Sequence, residues 1–83
     1  MVKINSKYYP LERYLQNSRK KCEGLTFSEI EKILNFQLPK SAYKYEAWWS
    51  NDKYHVQAKS WLNAGWKSCC LDMGKQRIVF KKD

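Results

Sequence analysis

The sequence predicts a small α+β domain, three to four helices followed by a C-terminal β-hairpin. Three features carry that expectation: the capping pattern Thr26-Phe27-Ser28-Glu29, a later helical stripe that stops at Gly65, and two strand-like runs either side of Asp72-Met73-Gly74-Lys75. The 83 residues suffice for a single domain, 1–83, and a domain of that size buries only about 60% of the surface its unfolded chain exposes. Hydrophobic residues make up 43% and aromatics 16%, with three Gly and two Pro, which is the composition of a chain that folds.

A first helix opens at Tyr8-Tyr9-Pro10-Leu11, where Pro is tolerated in the first turn and Leu11, Tyr14 and Leu15 recur at helical spacing. It is expected to end near Arg19-Lys20-Lys21, whose cations would complement the helix dipole, a structural reading that stands beside a ligand-binding one. Thr26 then caps a second helix, Glu29 completes the capping box, and Leu25 with Ile30 forms a hydrophobic staple. Phe27, Ile30, Ile33 and Leu34 make its buried stripe, Asn35 is its stop, and Glu29 and Glu31 in its first turns mark it as scaffold.

Leu38-Pro39-Lys40-Ser41-Ala42-Tyr43 restarts the chain after a short turn, at helix-turn-helix spacing. Ser50-Asn51-Asp52 is a polar cluster suited to cap the next helix, which turns Tyr54, Ala58, Trp61 and Leu62 inward and stops at Gly65. At about 3.6 residues per turn, that orientation leaves Val56, Lys59, Ser60 and Asn63 outward, with His55 and Gln57 at the flanks. Trp66 to Asp72 and Gln76 to Lys81 read as two strands. Gly74 is placed to supply the positive φ of the loop, and Ile78 and Phe80 alternate with the outward Arg77, Val79 and Lys81.

Lys and Arg number 16 against 8 Asp and Glu, a net charge of +8. The excess is uneven: residues 1–24, 25–52 and 53–83 carry +4, −1 and +5. Two basic ends brought together by folding would make a face suited to a phosphate backbone. No apolar run approaches the roughly 18 residues of a membrane span, and Met1-Val2-Lys3-Ile4 leads straight into polar residues, so a cytoplasmic protein with no membrane partner is expected.

Catalysis and metal binding find little support. The three Cys are an odd number, and Cys69 and Cys70 are adjacent, which suits neither a disulfide framework nor a zinc motif. Neighbouring strand residues point to opposite faces, so the pair is not expected to join Cys22 and His55 around one metal. His55 is the single His, carboxylates are few, and there is no Gly-rich phosphate loop; the expectation is a non-enzyme without a cofactor.

Helices followed by a basic hairpin make an order of elements that resembles the winged helix-turn-helix. That likeness implies that the helix before the hairpin, within residues 53–63, enters the major groove. The function expected is nucleic-acid binding, duplex DNA favoured. Lys44, Lys53, Lys59, Lys75 and Arg77 would contact phosphates, and Asn51, Gln57, Ser60 and Asn63 base edges, with Ser41 and His55 completing the set. Trp49 or Tyr45, if exposed, would stack an unpaired base. Each has a structural alternative: capping for Ser41 and Asn51, a plain helix surface for Gln57, the core for the aromatics. The competing class is a protein-interaction module, a phage or host regulator whose basic face meets an acidic protein partner. A homodimer through Trp49 or the hairpin edge is a third arrangement.

The string from Leu25 to Trp66, LTFSEIEKILNFQLPKSAYKYEAWWSNDKYHVQAKSWLNAGW, resembles a family of small, largely uncharacterised prokaryotic and phage domains. Its pattern runs T-F-x-E-I-E-x-I-L, L-P-x-S-A, W-W-x-N and A-x-x-W-L-x-A-G-W, and the tail WKSCCLDMGKQRIVFKK is similar to its closing hairpin. The resemblance implies a fold and no assigned activity. Among its positions, Ser41, Trp49, Asn51 and Gln57 are those that packing alone does not explain.

Overall fold

The computed structural model describes residues 6–83; the readings of Met1-Val2-Lys3-Ile4 and of the Lys3 charge lie outside the described residues. Helix α1 spans Tyr9–Asn17, with Pro10 in its first turn and Leu11 and Leu15 on its buried stripe. It stops short of the basic run. Ser18 is extended (ψ 134°), its backbone N–H bonds the Leu15 carbonyl, and its hydroxyl donates to the Glu23 carboxylate. Arg19, Lys20 and Lys21 therefore lie in an extended link and not in a last helical turn, so the dipole reading of this run is corrected.

The link leads into a strand that the periodicity does not predict: β1, Cys22–Thr26, with Glu23 and Leu25 inward and Cys22 and Gly24 outward. Helix α2, Phe27–Leu34, begins on the expected capping box. The Thr26 hydroxyl accepts the Glu29 N–H at 3.0 Å and the Glu29 carboxylate accepts the Thr26 N–H at 2.8 Å. Asn35 ends the helix in the left-handed region, φ 65°. Helix α3, Lys40–Lys44, runs into a single 3-10 turn, Glu46–Trp49.

Helix α4, Val56–Asn63, is entered through a turn in which the Asp52 carboxylate accepts the Tyr54 N–H and the Asp52 carbonyl accepts the His55 N–H, each at 2.9 Å. Neither Ser50 nor Asn51 caps it; His55 stands at the cap position without a side-chain bond. Gly65 follows at φ 86°, a conformation that an L side chain rarely adopts. Strands β2, Trp66–Asp72, and β3, Arg77–Lys82, form the closing hairpin, whose positive φ falls on Gln76 (54°) and not on Gly74.

The sheet is antiparallel with order β1-β3-β2, so the last strand is central. Its register slips between Ser68 and Cys70: Ser68 faces Phe80 and Cys70 faces Val79, which leaves Cys69 bulged. The bulge breaks alternation, and Cys69 and Cys70 are both exposed, against the expectation that they face opposite ways.

An aromatic column ties the elements together. Phe27 of α2 stacks on Trp49 (4.6 Å between ring centroids), Trp49 on Trp61 of α4 (6.2 Å), and Trp61 packs on Phe80 of β3 (5.1 Å). Each buried indole N–H finds an acceptor, as burial demands: Trp49 the Ala42 carbonyl, Trp61 the Asn51 amide oxygen, Trp66 the Leu15 carbonyl. No helix among the described residues is long and apolar enough to cross a membrane.

Candidate nucleic-acid interface

The polar residues expected to read bases divide sharply by burial. On α4, Gln57 and Ser60 face inward, 9% and 2% exposed. Gln57 donates its amide N–H to the Trp48 carbonyl at 3.0 Å, and the Ser60 hydroxyl donates to the Gln57 carbonyl at 2.6 Å. These bonds make two polar residues compatible with the core, and neither reaches a ligand in this fold. Trp49 is buried in the aromatic column and cannot stack a base or a second copy of the chain.

Asn51 is exposed, yet its amide is already engaged. Its amide oxygen accepts from the Trp61 indole at 2.9 Å, the Ser68 N–H at 2.8 Å and the Ser68 hydroxyl at 2.9 Å, while its NH₂ donates to the Ser68 carbonyl at 3.0 Å. It fastens the loop before α4 to β2. The W-W-x-N string is thus a structural unit: Trp48 packs edge-on against Tyr8, Trp49 fills the column, and Asn51 locks the sheet. His55 lies half-buried, with Nδ1 lacking a partner among the described residues and Nε2 3.6 Å from the Asp52 carboxylate.

The solvent-facing candidates fall in separate places. Lys53, Lys59 and Asn63 are exposed along α4 and the loop that precedes it. Ser41 and Lys44 are exposed on α3, where Lys44 borders a depression with Glu31, Leu38, Lys40 and Tyr43. Ser41 sits inside that helix, beyond the Pro39 cap, and so does not cap it. Tyr43 donates to the Glu31 carboxylate at 2.8 Å, and burial together with that carboxylate pushes its phenol up to about 12. Lys75 and Arg77 share a depression with Cys70 and Asp72 at the hairpin. Arg77 lies across Gly24 on the sheet face turned from the helices, so that a Cβ built at Gly24 would run into its guanidinium.

Folding assembles a feature absent from the candidate set. Because β1 pairs with β3, Cys22 lies opposite Lys81, and the Lys82 N–H bonds the Lys21 carbonyl at 2.9 Å. Arg19, Lys20, Lys21 and Lys82 line one cleft of about 430 Å³, with Asp83 on its rim. The Asp83 N–H bonds the Gly65 carbonyl at 2.9 Å, which sets this cleft beside the C-terminal end of α4. The basic ends do meet. The charge count points to them, and Arg19-Lys20-Lys21 carries a ligand-binding reading beside the dipole one, yet none of the three is among the candidate residues.

The accessible aromatics are also different ones. Tyr54, expected inward, is 81% exposed because it precedes α4, and Tyr45 is 61% exposed on the link into the 3-10 turn. Among the described residues, no group of three or more His, Cys, Asp or Glu is placed to hold a metal.

These features define a small α+β domain in which the C-terminal end of α4 and the last strand border a lysine-rich cleft. The chain belongs to the family described as domain of unknown function DUF7662, whose profile matches residues 8–83. Neither a curated protein nor a solved structure matches it.

Proposed function

We propose that this domain binds nucleic acid without catalysis, with duplex DNA the preferred form. The observation that carries the reading is the cleft where the two basic ends join, lined by Arg19, Lys20, Lys21 and Lys82 at the end of α4. Cations gathered around one opening suit phosphodiester oxygens and supply affinity independent of sequence. The order of elements supports the same reading, since it resembles the winged helix-turn-helix, and a helix-turn-helix places its recognition helix in the major groove. On the open side of α4, Lys59 would meet phosphate and Asn63 a base edge.

Exposed Tyr45 and Tyr54 favour a second reading, an acidic protein partner for which these rings would serve as anchors. Binding to duplex and single-stranded DNA measured across a salt series separates the two. With about three to six phosphates contacted, log K falls with log salt at a slope of roughly −3 to −5. Lys21→Ala and Lys59→Ala should each flatten that slope by about one, whereas Asn63→Ala should cost about 1–3 kcal/mol on the preferred sequence only. Salt-independent binding, or none at low salt, would overturn the reading in favour of the protein partner.

A further inference from the structure

Cys69 and Cys70 are neighbours in β2, where successive side chains ordinarily point to opposite faces of a sheet. The bulge between Ser68 and Cys70 cancels that alternation, leaves both thiols exposed, and brings their sulfurs to 3.3 Å, close enough for one to donate its proton to the other. The strand is at the sheet's edge, so no further strand covers the pair among the described residues. The Cys70 thiol is pushed up from its ordinary value, chiefly by its hydrogen bond with Cys69 and that sulfur's charge and then by burial, while the Lys81 ammonium works the other way.

We propose that Cys69 and Cys70 form a dithiol site that captures a soft trivalent centre of the monosubstituted arsenic type through both sulfurs of one chain. Thiolates are the ligands soft centres select. The 3.3 Å spacing is shorter than the about 3.8 Å that two thiolates take up at about 2.3 Å from a tetrahedral zinc. It fits instead the narrower angle of a pyramidal three-coordinate centre. Only two protein donors are required, in keeping with the absence of a three-ligand group among the described residues. In the capture step two arsenic–sulfur bonds form and the arsenic–oxygen bond breaks. The oxygen leaves as water with both thiol protons, arsenic stays trivalent, and no oxidant takes part.

The test is titration of the reduced full chain with phenylarsine oxide, followed by intact mass and thiol counting. One arsenical less one water should add per chain, with two thiols lost. Closure of the second bond within one chain multiplies affinity by a factor on the order of 100 or more. Cys69→Ser and Cys70→Ser should each lose that factor, and Cys22→Ser should bind like the parent. On the unmodified sequence, a small dithiol should release the arsenical while a monothiol at equal thiol concentration should not, a readout that needs no folded variant. Equal binding by either single variant, loss of binding in Cys22→Ser, addition of two arsenicals per chain, or release by the monothiol would each overturn the proposal.

Discussion

At the scale of single residues, Asn51 shows how a polar side chain can look like a reader and act as a fastener. Its one amide satisfies the Trp61 indole and both backbone groups of Ser68, across a sequence separation that no local pattern encodes. Asn51→Ala would leave the buried indole donor without its acceptor, at a cost of about 1–3 kcal/mol. Urea unfolding should register this as a lower midpoint with an unchanged slope. Asn51→Asp keeps the acceptor but turns a carboxylate oxygen toward the Ser68 carbonyl, so it too should destabilise; a midpoint equal to the parent's in both variants would contradict the role. Gln57 and Ser60 teach the same lesson. Trp61 was legible as a core residue from its spacing, but the partners that let Gln57 and Ser60 share the buried face are backbone carbonyls, which a sequence does not display.

Among the elements, α2 was the most legible because every determinant of its start lies within six residues, Leu25 to Ile30. Thr26→Ala should lose about 1 kcal/mol, a drop of roughly 4–8 °C in Tm for a domain this size, with any ligand affinity intact. The Glu29 carboxyl is held below its ordinary 4.5, chiefly by the Thr26 N–H and then by the Thr26 hydroxyl. A depressed carboxyl contributes stability that is fully present above its unfolded pKa and is lost as pH falls through the folded value. The parent should therefore weaken through the acid range below 4.5, and Glu29→Gln should show a shallower acid decline in thermal melts. Strand β1 is the opposite case. Cys-Glu-Gly-Leu-Thr has little intrinsic strand character, with Glu23 buried at its second position, and it becomes a strand by pairing with residues more than fifty positions away.

For the molecule as a whole, the missing strand explains the missing site. The sequence displayed two basic ends, and the helix, hairpin and hydrophobic stripe were readable from period and turn chemistry. The cleft exists only because β1 and β3 are paired, so a reading without β1 had no means of bringing Arg19-Lys20-Lys21 to Lys82. The expected surface therefore centred on α4 and the hairpin tip, and two of its four base-reading candidates, Gln57 and Ser60, support the core.

The position of β3 between β1 and β2 also governs how the molecule can assemble. During synthesis neither outer strand has a partner until β3 is made, and the β1 pairing must close the long loop from Thr26 to Arg77 before it is rewarded. Formation of the sheet thus waits for β3, with the exposed link and β1 unpaired until then. In the finished protein the same arrangement makes β3 a common hinge-pin, since its departure releases both neighbours at once. Amide hydrogen exchange should accordingly show the β1–β3 and β2–β3 ladders opening together with one free energy, and protection of either ladder that outlasts the other under native conditions would argue for two independently opening halves.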